Sequence, residues 1–159
     1  MTEVAAPPLR AAINGDPGLR RKSAQERKLK LALNGLGGLH AATGAVALFA
    51  PGLLFRTIDG FGIENDHFIR HVGTIDLALG GVLLVAARTP RWRLPTLAAA
   101  TAQSALHLAI HLFDGETPDP PWVRYLDDAM IAGVTWLLAW SLATNRRLEG
   151  VPEGCGSPP

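Results

Sequence analysis

The chain has 159 residues, 48% of them hydrophobic, with 15 Lys and Arg against 14 Asp and Glu and one cysteine. The basic residues lack interleaved aromatics and any nucleic-acid motif, so no nucleic-acid partner is expected at a formal net charge of +1, and one cysteine excludes an intrachain disulfide. Long apolar runs take over half of the length, which leaves room for one membrane domain and no second core.

In chain order, residues 1–28 are polar, basic and rich in Pro and Gly, and they predict a disordered cytoplasmic tail. The basic run from Arg20 to Lys30 is expected to lie against anionic lipid headgroups. The polar N-terminus and the length of the first apolar run do not fit a cleaved signal peptide. Four apolar segments follow, at 29–50, 68–87, 94–113 and 122–144. Each has about 20 residues or more, enough at ~1.5 Å per residue to cross a hydrocarbon core of ~30 Å. Residues 146–159, with Cys155, predict a second disordered cytoplasmic tail. The expected fold is all-α, a four-transmembrane-helix bundle over residues 29–145 in the plasma membrane.

Orientation follows from the cations. Arg10, Arg20, Arg21, Lys22, Arg27, Lys28 and Lys30 lie at or before the first span, Arg88, Arg91 and Arg93 between spans two and three, and Arg146 and Arg147 after span four. Only Arg56, Arg70 and Arg124 fall on the other side. The positive-inside rule then places both termini in the cytoplasm. Trp92, Trp122 and Tyr125 stand at span ends, where aromatic anchors belong.

Each span carries a stripe of small or polar residues. In the first it is Gly37, His40, Gly44, Ala47 and Pro51; in the second, Gly73, Asp76 and Gly80. Such faces let helices approach closely in lipid. In the third, Thr96, Ala100, Gln103, His107, His111 and Asp114 follow one another at three- and four-residue steps, which places them on one helical face. In the fourth, Asp128, Thr135 and Ala139 share a side.

Depth gathers the ionisable groups in the outer half. His107 and His111 lie about 10 and 5 Å below the outer end of span three, and Asp76 about 13 Å below that of span two. A polar pocket open to the outer face is therefore expected, built from His40, His71, Asp76, Gln103, His107, His111, Asp114 and Asp128. Asn65, His67, Arg70 and Arg124 are its outer-loop candidates, and the loop 57–66, with its Gly60-Phe61-Gly62 run, is the candidate lid. The inner half is expected to hold little polarity beyond Asn34, Thr96 and Thr135. His107 and His111, four residues apart, share a face as metal-binding helical histidines do, but without the intervening Glu of a zinc-protease helix.

Further runs are Ala50-Pro51-Gly52, the stretch from Phe61 to Arg70, Gly73 through Gly80, the stretch from Ala86 to Arg93, the His107/His111 pair with Asp114, and Trp122 with Asp127 or Asp128. Together these resemble a family of small bacterial four-helix membrane proteins, loosely similar to the DoxX-like membrane proteins, across about residues 30–145. That resemblance implies a respiratory-chain or quinone-linked accessory role and points to Asn65, His67, Arg70, Asp76, His107, His111 and Asp114.

Three functions stay open on the sequence. The first is a non-catalytic accessory subunit that meets another membrane protein or a second copy of itself, with the lipid bilayer its other partner and no cofactor. The second is a redox protein holding haem, a metal or a quinone headgroup on His107 and His111. The third is proton-coupled transport by an oligomer, using Asp76 and the histidines as titrating sites.

Overall fold

The computed structural model describes residues 16–59, 64–113 and 122–150. All regular structure among them is helical. Four long helices follow in order: α1 (Pro17–Phe49), α2 (Asp66–Arg88), α3 (Arg93–Phe113) and α4 (Trp122–Glu149). A single turn at Pro51–Leu54 and a π-helical stretch at Phe55–Asp59 leave α1, and a 3-10 turn at Pro90–Trp92 joins α2 to α3.

The helix ends have local causes. The Asp16 carboxylate accepts hydrogen bonds from the backbone N–H of Gly18 (2.7 Å) and Leu19 (3.4 Å), with Pro17 in the first turn. This corrects the expected tail, since helix rather than disorder occupies residues 17–28. The remainder of that tail, residues 1–15, lies outside the described residues, as do 151–159; residues 146–149 form the last turn of α4. At the other end of α1, Pro51 has no N–H to continue the ladder, and the helix breaks at Ala50. Asn65 caps α2 by accepting from Phe68 N–H at 3.1 Å. Pro90 stops α2 and starts the turn into α3.

The helices run up, down, up and down. The most extensive pairing is α1 against α2, and it rests on glycine. A Cβ at Gly44 would collide with the backbone of α2, 2.7 Å from Gly73 O, and one at Gly80 would lie 2.8 Å from Gly37 O on α1. The pairs Gly37/Gly80 and Gly44/Gly73, seven residues apart on each helix, bring the two backbones into contact. The second hairpin, α3 with α4, is bonded by Ser104 and Thr135, whose hydroxyls lie 2.8 Å apart.

The hairpins share a core only toward the end that carries the chain termini. Leu29, Leu33 and Leu36 of α1 meet Leu83, Ala86 and Ala87 of α2, Leu97 and Ala100 of α3, and Leu138 of α4. All buried residues of α3 lie between Arg93 and Ser104, and those of α4 between Leu138 and Asn145. Toward the far end, the second core cluster of Ala47, Leu54 and Ile69 belongs to the first hairpin alone.

Large apolar side chains cover the outside, among them Phe49, Phe68, Leu106, Phe113 and Trp136. Three helices, α1, α2 and α4, are long and apolar enough to cross a membrane. Gln103, His107 and His111 interrupt the apolar run of α3. Among the described residues the chain is all-helical, with the length and apolar composition of a membrane-embedded protein.

Candidate functional site

The polar residues of the bundle gather in three places, each fixed by a different helix pair. The first sits between the glycine contacts of α1 and α2. His40 lies between Gly37 and Gly44, and Asp76 between Gly73 and Gly80, so close backbone approach brings the two side chains together. His40 Nδ1 is 3.0 Å from Asp76 Oδ1, and both side chains are mostly buried. His40 Nε2 is buried and has no hydrogen-bond partner among the described residues. With the Nδ1 proton donated to the carboxylate, the Nε2 lone pair is left to accept a proton or a ligand, as in carboxylate-oriented histidines at metal sites.

The second group joins α3 to α4 near the far end. His111 Nδ1 lies 3.3 Å from Asp128 Oδ1 and 3.5 Å from Asp127 Oδ2. Arg124 approaches Asp128 from the other side, Nε to Oδ2 at 3.7 Å, and donates to the backbone carbonyl of His111 at 3.3 Å. Asp128 therefore serves two cationic or protonatable neighbours at once. The His107 ring stacks edge-on against His111, with centroids 4.8 Å apart at 72°.

The expected single pocket is thus divided between the hairpins. His40 and Asp76 belong to the first; His107, His111, Asp128 and Arg124 belong to the second. His71 is not in either group: it is exposed and stacks on His67 at 5.0 Å. Its place two residues before Gly73 puts it roughly 200° around the helix from the glycine face. Gln103 is also exposed, although Thr96 and Ala100, from the same stripe, are buried. Ser104, one residue further along, is buried and bonded to Thr135, so at this depth α3 turns Ser104 rather than Gln103 toward the bundle. Asn65 is a helix cap, and Arg70 makes an exposed pair with Asp66 at 3.5 Å. Asp114 lies outside the described residues, as does the Gly60-Phe61-Gly62 segment of the candidate lid.

The third group was not foreseen in the sequence. Arg93, read there as one cation among the inside charges, is only 4% exposed. Its guanidinium makes a two-pronged contact with Glu26 of α1 (2.9 and 2.8 Å), and its Nε donates to Ala86 O at the end of α2 (3.2 Å). One side chain of α3 thereby ties down both helices of the other hairpin. The Arg93 hydrogen bond holds the Glu26 carboxyl below its ordinary pKa, with Lys30 adding a weaker pull at 3.4 Å. Ser141, Thr144 and Asn145 are buried in the same half, which is more polar than expected. The available signal was Glu26 itself, the sole acid in the basic run from Arg20 to Lys30.

Among the described residues, no three His, Cys, Asp or Glu side chains converge to hold a metal ion. Comparison with family models, with curated proteins and with solved structures returns no match, so the DoxX-like resemblance rests on its quoted motifs.

Proposed function

We propose that the chain is a four-span plasma-membrane protein with both termini cytoplasmic, and that it serves as a non-catalytic subunit docking a helix of a partner membrane protein on the Gln103 face of α3. The observation that carries this reading is the exposure of Gln103. It lies ten residues from the start of α3, about 15 Å along the axis and so at the depth of the bilayer centre. A primary amide facing hydrocarbon without a hydrogen-bond partner costs several kcal/mol on alkane-transfer scales, roughly 4 or more. A helix offering a hydrogen bond removes that cost, which is how polar side chains join helices in membranes. The His40–Asp76 pair and the His111, Asp127, Asp128 and Arg124 group engage one another within the bundle, which supports a structural rather than a catalytic role.

A photo-crosslinking residue at Leu106, an exposed neighbour of Gln103 on α3, tests the proposal in intact cells. The expected result is one discrete adduct at Leu106, lost in Gln103→Leu and absent when the probe replaces exposed Val82 of α2. An adduct pattern unchanged by Gln103→Leu overturns the proposal.

A second reading, ligation of a haem, metal or quinone headgroup, is favoured by one atom, the unpartnered Nε2 of His40. It moves the expected ligand-bearing histidine from His107 and His111 to His40.

A further inference from the structure

A groove of about 410 Å³ runs between α1 and α4, lined by Leu31, Leu39, Met130 and Leu137 and opened by two glycines, Gly35 and Gly133. Its walls are almost wholly apolar. A Cβ at either glycine would meet nothing within 4 Å, in contrast to the glycines that bring α1 against α2. The volume falls in the range of about 300–1,000 Å³ typical of sites for small organic ligands.

The chemistry changes along the same faces toward the chain termini. On α1, Arg21, Lys28 and Gly35 are spaced seven residues apart and so share one side of the helix. On α4, Gly133, Trp140 and Arg147 repeat that spacing. The groove therefore leads to exposed Arg21 and Lys28 on one wall and to Trp140 and then exposed Arg147 on the other. No described carboxylate pairs with any of these three cations within 4.0 Å, although Lys30, close by, is paired with Glu26. Cations with apolar stems beside a Trp ring are the usual furnishings of the headgroup level.

We infer that the α1–α4 groove is a binding site for an anionic phospholipid of the cytoplasmic leaflet, with an acyl chain between Gly35 and Gly133 and the phosphate held by Arg21 and Arg147, which stand level with each other two seven-residue steps from those glycines. The inference rests on the four-span, termini-inside reading given above. It separates two contributions: the groove accepts a chain of any phospholipid, and the cations select the anionic headgroup.

Native mass spectrometry of the full chain, released in mild detergent from vesicles of phosphatidylglycerol and phosphatidylcholine, tests it. The wild type should retain about one phosphatidylglycerol, in preference to phosphatidylcholine. Gly133→Leu and, independently, Gly35→Leu should lose both lipids while the melting temperature is kept, because open space receives the new side chain. Arg21→Gln with Arg147→Gln should keep a bound lipid but lose the preference for phosphatidylglycerol, by roughly fivefold per cation removed. Lipid retention unchanged in both glycine variants overturns the inference, as does a change of oligomeric state in them, which would make a second copy the occupant. Protease protection of the terminal segments in the same vesicles reports the spanning topology separately, so a wrong orientation is not mistaken for a missing lipid site.

Discussion

His40 and Asp76 show how a single pair can be read from its neighbours. Each is expensive alone in an apolar bundle, and each has the other at 3.0 Å. Replacing Asp76 by Leu strips His40 of its only described partner, whereas replacing both by Leu removes the polar groups together. Interhelical hydrogen bonds in membranes average about 0.6 kcal/mol and reach ~1.7. Asp76→Leu should therefore lower the unfolding free energy by about 1–2 kcal/mol, and the His40→Leu, Asp76→Leu pair should recover most of it, as read by unfolding in detergent. A double variant less stable than either single one would show that the pair is not the relevant unit. The ligand reading predicts a further signature, an absorption band or stoichiometric metal in the purified wild type that His40→Asn abolishes. Both residues stood out in the sequence as polar groups on small-residue stripes, but their pairing did not, because it depends on which helices meet. His71, expected in the pocket, is exposed instead, because two residues before Gly73 it stands on the side of α2 opposite Gly73 and Gly80.

At the scale of the element, the α1–α2 hairpin was the most legible part of the chain. Gly37 and Gly44 on one helix, and Gly73 and Gly80 on the other, repeat at the interval that keeps residues on one face of closely packed helices. The structure brings those faces together. Gly80 faces backbone, with Ala41 N and Gly37 O in the space a Cβ would take, and backbone cannot swing aside as a side-chain tip can. Gly80→Val should therefore force the helices apart at a cost of at least about 1–3 kcal/mol, the usual penalty of overpacking. It should also separate His40 from Asp76. Gly81→Val, one residue along, meets nothing within 4 Å and serves as the control. Thermal unfolding in detergent should show a large loss for the first and little change for the second; equal losses would mean that helix propensity, not contact, governs the site. The face of α3 was legible only in part. Thr96 and Ala100 are buried as the stripe requires, but the buried line continues to Ser104 rather than to Gln103, because which of two adjacent residues faces the bundle is set by how α3 packs on α4.

The whole molecule is tied together at its terminal end by Arg93, and the two partners of that tie are not equivalent. Arg93 is 4% exposed, while the Glu26 side chain is 34% exposed. Remove the arginine, as in Arg93→Met, and Glu26 can turn to water and to Lys30. Remove the carboxylate, as in Glu26→Ala, and a guanidinium stays buried with only Ala86 O to meet it. Stranding one member of a buried pair costs about 3–5 kcal/mol, whereas exchanging a charge for an apolar side chain of similar size is often nearly neutral. Glu26→Ala should therefore be the more destabilising change, even though Glu26 is the more exposed partner. The same contact sets a pH dependence. Because Arg93 depresses the Glu26 pKa in the folded protein, the stabilisation is complete above the ordinary carboxylate range and is lost as pH falls through the lowered value. The melting temperature of the wild type should fall on acidification through that range. In Glu26→Ala the fall should be smaller, from a lower starting point, and a wild-type profile of the same steepness in both proteins would remove Glu26 as its cause. The sign of this effect follows from the depressed carboxylate alone, and its reach from the fact that Arg93 joins α3 to α1 and α2 at once.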